Sequence, residues 1–116
     1  MKAFLAVFTG SAEARARFQI LEEPERQARY SSGYQAWGEW VAKHASSIAE
    51  GGAPLGRTKK VSASGISDIR NELAAYIVVR AKSHEAAAKL FEGHPHFTLF
   101  PGEGVEIMEC LPIPSA

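Results

Sequence analysis

The sequence predicts an α+β domain with the element order β-α-β-β-α-β, a four-stranded antiparallel sheet with both helices on one face. Three observations predict it. Apolar runs of strand length stand at residues 2–8, 73–81 and 104–111. Apolar residues recur at helical spacing from about 25 to 49. A short alanine-rich stretch at 84–93 separates the last two runs.

The first run, "KAFLAVF", is closed by Thr9, Gly10 and Ser11, a strand followed by a break. Residues 12–23 read as a short helical or irregular connection, and Pro24 suits the opening turn of a helix. In the long helix Tyr30, Tyr34, Trp37, Val41, His44 and Ile48 form a stripe that Trp40 widens. Ser31, Ser32, Gly33 and Gly38 are its poor helix formers, and Gly51 or Gly52 its expected C-terminal cap. Residues 55–64 read as the second strand, with Arg57, Lys59 and Lys60 guarding a sheet edge. Residues 65–72 read as a loop and 73–81 as the third strand. Ser83 is an N-cap for the helix 84–93, which Gly93 stops; residues 104–111 are the last strand.

This order is the ferredoxin-like arrangement, and right-handed crossovers put both helices on one face. Yet the first and third strands are apolar on both faces: Phe4, Ala6 and Phe8 oppose Ala3, Leu5 and Val7. A sheet with one wet face alternates apolar with polar, so the second face requires a cover. The same face of a second copy supplies one, which predicts a homodimer through the sheet face.

Composition sets limits. The 116 residues suit one domain, 1–116, and 46% of them are apolar. Thirteen Lys and Arg balance thirteen Asp and Glu, so no charge favours nucleic acid or an anionic membrane. No apolar run approaches the ~20 residues a membrane helix needs, and the run at 3–8 is too short for a signal peptide core. The one cysteine, Cys110, fits a reducing, cytoplasmic setting and reads as a small buried hydrophobe.

The phrases "MKAFLAVF", "GAPLG", "SASGISDIRNELAAYIVVRAKSHEAAAKLFEGHP" and "GVEIMECLPI" cover nearly the whole chain. In them the sequence resembles the YCII-related, or DGPF-domain, family of small dimeric α+β-barrel proteins. The D-G-P-F phrase itself is replaced here by Ser64-Gly65-Ile66-Ser67. The resemblance implies the dimeric α+β-barrel fold. For activity it implies an acid–base pair of histidine and aspartate, as proposed for some members, and a role on chlorinated rings in a few distant relatives.

His94 and His96, flanking Pro95, are the first candidates for chemistry. Imidazole titrates near neutrality and serves as a general base. His94 reads equally as a group that satisfies the last carbonyls of the helix before it. His-x-His supplies only two metal ligands, so no metal site is expected. Asp68 or Glu106 is the expected acid partner. Tyr34, Trp37, Trp40, His44 and Phe97 are expected to line the ligand pocket, although core packing explains large aromatics equally well. No phosphate-cradling or dinucleotide motif appears, so no cofactor is expected. Three functions stay open: a cofactor-free small-molecule enzyme using a histidine–acid pair in a cleft, a non-catalytic small-ligand or regulatory dimer module, and an interaction protein in which the pocket is incidental.

Overall fold

Strand β1 (Lys2–Thr9) runs through the middle of the sheet, and the rest of the chain is arranged around it. The computed structural model describes residues 1–115. After β1 come helices α1 (Ala12–Gln19) and α2 (Glu23–Lys43), a single 3-10 turn (Ala45–Ser47), and β2 (Ile48–Pro54). A hairpin follows, β3 (Thr58–Ser62) and β4 (Gly65–Ile69), then β5 (Leu73–Ala81). The chain ends with α3 (His84–Lys89), α4 (Pro95–Thr98) and β6 (Gly104–Glu109). The main sheet has the order β2-β5-β1-β6, every pairing antiparallel. This is the ferredoxin-like α+β fold.

The helix ends obey local chemistry. The hydroxyl of Ser11 accepts the Ala14 N–H to cap α1, and that of Ser83 accepts the Ala86 N–H to cap α3. Pro24 sits in the first turn of α2, where no N–H bond is lost.

The core lies on one face of the sheet. Phe4, Ala6 and Phe8 of β1 and Ile77, Val79 and Ala81 of β5 meet Trp40 of α2, with Ala87 of α3 and Phe91 just beyond it. Full burial of one such large side chain contributes roughly 1.5–3 kcal/mol. The Trp40 indole N–H donates to the Leu90 carbonyl at 2.9 Å, tying α2 to the end of the α3 region. On the other face Leu5 stands between Val78 and Met108, and Val7 between Tyr76 and Glu106. Among the described residues no helix or strand covers this face, where Leu5, Val7, Tyr76 and Val78 stay partly exposed, and the described residues span only 19 Å in their thinnest dimension.

Two expectations fail in the stretch between α2 and β5. The helix stops at Lys43, and the second strand of the sheet is 48–54, not 55–64. Ile48 continues the helical spacing of the stripe, but its side of the chain pairs with Val79 in the sheet. Gly51 and Gly52 are not helix caps. They occupy the irregular middle of β2, where the pairing shifts between Glu50 and Ala53. Gly52 has φ +69°, and a Cβ there would lie 1.8 Å from the Tyr76 carbonyl oxygen. Only glycine permits that approach.

The second failure concerns 55–72. Thr58–Ser62 turns back at Ala63 and Ser64 and pairs with Gly65–Ile69, so the expected strand and loop are one hairpin outside the main sheet. Arg57, Lys59 and Lys60 therefore guard no edge of that sheet, whose edge strands are β2 and β6. The hairpin stands out as an arm. It raises the radius of gyration to 16.3 Å, above the ~13 Å of a compact domain of about this length.

Gly52→Ala should lower unfolding free energy by at least about 2 kcal/mol, because it combines positive φ with a backbone collision. Gly38→Ala, on an open part of α2 with nothing within 4 Å of the new Cβ, should raise it by up to about 1 kcal/mol. Urea titration of the two variants checks both signs.

Candidate functional site

A cleft of about 750 Å³ opens where the ends of β1 and β5 meet α2 and the segment after α4. Its size falls within the range of small-molecule sites. Its walls are mostly apolar: Phe8, Tyr34, Trp37, Val41, Ile48, Ile77 and Phe100. Gly33 shapes it. A Cβ there would come within 2.6 Å of the Phe100 ring, so glycine lets that ring lie flat against α2. Phe100 in turn packs edge-on against Tyr34 and Trp37, at 5.2 and 6.0 Å between centroids.

The two histidines part company here. Gly93, with φ +69°, ends the α3 region, and His94 becomes the N-cap of α4 with Pro95 at its first position. His94 Nδ1 accepts the His96 N–H at 3.0 Å. The expectation that His94 serves the carbonyls of the preceding helix is therefore corrected: its ring caps the following helix. It is fully buried and lies against Phe8, Trp37, Trp40 and Phe91, with centroids 4.5–6.0 Å away. Because Nδ1 accepts, Nε2 carries the proton, and among the described residues it is the buried side-chain atom without a hydrogen-bond partner. Burial, then the neighbouring His96 and His44, lower its pKa from 6.5 to about 4. His94 does not line the cleft.

His96 does. Its Nε2 lies 2.7 Å from the Thr9 carbonyl oxygen. A carbonyl only accepts, so Nε2 is the donor and Nδ1 keeps the lone pair. Among the described residues Nδ1 has no hydrogen-bond partner, and it is not one of the fully buried unpartnered atoms. Burial lowers the pKa of His96, and the Thr9 bond partly opposes this. The ring is neutral at pH 7, held by its back nitrogen and open at its front one. Gly102 backs it closely: a Cβ there would sit 2.4 Å from Nε2.

The other expected site residues are scattered. Asp68 lies on β4, 81% exposed, and takes the Lys59 ammonium at 2.8 Å; it orients no histidine. Glu106 lies on the uncovered sheet face opposite Val7, exposed, and bonds neither histidine. Of the expected pocket aromatics, Tyr34 and Trp37 line the cleft. Trp40 belongs to the core, His44 ends α2, and Phe97 is on the outer side of α4. Cys110 is exposed, not buried. Phe100, Val41 and Ile48 were not anticipated. Val41 and Ile48 stood in the helical stripe and were legible as apolar positions, whereas Phe100 carries no periodic signal.

No protein-family model and no curated protein sequence matches the chain. Among solved structures it is similar to 5-chloro-2-hydroxyhydroquinone dehydrochlorinase from Burkholderia phenoliruptrix AC1100, in complex with 2,5-dihydroxybenzoquinone. The TM-score is 0.50 at 13% identity, over 91% of this chain and 90% of that one. The likeness establishes the fold.

Buried His94 ties stability to pH. The unfolded chain protonates it near pH 6.5, whereas the folded chain resists until about pH 4. Its contribution is therefore complete above pH 6.5 and is lost as pH falls toward 4, by on the order of 3 kcal/mol. His94→Asn keeps a capping oxygen but does not titrate. Denaturation across this range should show a shallower slope for the variant, and an unchanged slope would assign the titration to another group.

Proposed function

We propose that this chain is a YCII-related, cofactor-free enzyme acting on a small, largely apolar organic molecule, with His96 as general base. One observation carries the reading. His96, which lines an aromatic cleft, holds its proton on the side of the Thr9 carbonyl and keeps its Nδ1 lone pair unengaged among the described residues. A general base needs a fixed tautomer, and here a backbone oxygen fixes it where an aspartate often does. The partner expected from sequence, Asp68 or Glu106, has no part in this arrangement.

The chemistry follows from that placement. A substrate ring stacks between Trp37 and the other apolar walls. Nδ1 takes a proton from an acidic O–H or C–H, and the electron pair stays on the oxygen or carbon left behind. The imidazolium so formed keeps its Nε2–H on Thr9, which stabilises the new charge. The dehydrochlorinase of the same fold was solved with a small hydroxylated ring bound, which suits the size and character of this cleft.

The assembly belongs to the same proposal. Leu5, Val7, Tyr76, Val78 and Met108 make the uncovered face apolar, and a second copy of that face is its cover. The pair would work in the cytoplasm. A non-catalytic ligand-binding dimer is the second reading, favoured by the lack of any carboxylate bonded to His96.

Tryptophan fluorescence titrated with small hydroxylated aromatics tests the cleft, followed by turnover of whichever compounds bind. His96→Gln should leave binding within a few-fold and reduce turnover by about 100-fold or more. The wild-type rate should rise with pH to a plateau, with a midpoint below 6.5, because the neutral ring is the active form. Binding without turnover would select the ligand-binding reading. Sedimentation should give a dimer at micromolar concentration that Val7→Lys converts to a monomer; a monomeric wild type would remove the assembly.

A further inference from the structure

A second cleft adjoins the first at the base of the hairpin arm. The two share Arg15, Asn71, Glu72 and Leu73 as a common wall. The outer cleft is polar where the inner one is apolar, and it is lined by four cations, Arg15, Arg57, Lys59 and Arg70, against two carboxylates, Asp68 and Glu72. Each carboxylate is already engaged. Glu72 is clamped by both terminal nitrogens of Arg15, at 2.7 and 3.2 Å, and Asp68 by Lys59 at 2.8 Å. Gly10 leaves room for the first of these pairs, since a Cβ there would sit 3.3 Å from the Arg15 guanidinium.

Arg57 and Arg70 remain without an acid within ion-pair distance among the described residues. They flank the last pair of the hairpin, Thr58 opposite Ile69, so the fold brings the two like charges to the same end of two neighbouring strands. Like charges set side by side across a strand pair destabilise it. Nothing in the packing requires either of them, because both are exposed. In a chain of zero net charge, an uncompensated pair of guanidinium groups beside a ligand cleft is a local excess that an anion relieves.

We infer that the ligand of the apolar cleft carries a carboxylate or similar anionic group on a short tether, and that Arg57 and Arg70 bind it. The inference deepens the small-molecule reading of the cleft and rests on it. The ring occupies the inner cleft beside Trp37 and His96, the tether crosses the wall at Asn71 and Leu73, and the anion meets the two arginines. Guanidinium groups suit this task because their planar forks pair with two oxygens at once.

The test compares para-hydroxyphenylpropanoate with para-propylphenol, the same ring on a tether without the charge, by tryptophan fluorescence and calorimetry at pH 7. The carboxylate should bind about tenfold more tightly at low salt, and the advantage should shrink as salt is raised. The double variant Arg57→Gln/Arg70→Gln should erase the advantage and leave the phenol's affinity unchanged. Equal binding of the two compounds, or an advantage that survives in the double variant, would overturn the anion subsite while leaving the apolar cleft intact. Binding of neither compound would overturn the cleft reading and this inference together.

Discussion

One backbone oxygen organises the site. The Thr9 carbonyl accepts the Glu103 N–H at 2.9 Å and the His96 ring N–H at 2.7 Å, while the Thr9 hydroxyl donates to the Gly104 carbonyl at 3.2 Å. It faces the β6 side of the sheet, at the last pair of β1 with β6, Thr9 opposite Gly104. A carbonyl oxygen has two lone pairs, so the bond from Glu103 leaves one for the imidazole. The end of β1 thus fixes both the entry into β6 and the orientation of the imidazole, and Gly102 closes in behind the ring. The orientation of the His96 ring therefore depends on the sheet, although the ring itself sits in a short helix at the surface of the sheet.

Two histidines separated by one proline end up in opposite environments, and Phe8 divides them. Its ring lies 5.0 Å from that of His94 and 5.2 Å from that of His96. On one side is the aromatic core, where an imidazole can only be neutral and inaccessible. On the other is the cleft, where it is neutral and accessible. Burial alone would treat the two alike, since both rings lose proton affinity to it. The hydrogen bonds separate their roles: His94 uses its lone pair on the backbone, and His96 uses its proton.

The parts legible in the sequence were those written in periodicity or in strong local chemistry. Strands β1 and β5, the long helix, the Ser83 cap and the two-faced apolar character of the sheet all follow from spacing and residue type. The region from His44 to Asn71 was misread because its signals are ambiguous. Ile48 falls on a helical stripe by spacing while its branched side chain serves a strand, and paired glycines signal a helix cap and a strand bulge equally well. In the site, the histidine pair was visible as a motif, as were Tyr34 and Trp37. The Thr9 carbonyl was invisible, since a backbone acceptor has no side-chain signature. Asp68 and Glu106 attracted notice as acids, but pairing a carboxylate with a histidine requires knowing which strands are neighbours, and the hairpin removed Asp68 from the sheet.

The arm has a consequence of its own. Its two strands pack on each other and hardly touch the rest of the molecule. A lone hairpin is marginal in water, and Val61 and Ile66, opposite each other near its tip, are 75% and 73% exposed. The turn at Ala63 and Ser64 is thus decoupled from the folding of the domain. Its length and sequence can drift, or accept a grafted peptide, without disturbing the framework that holds the imidazole.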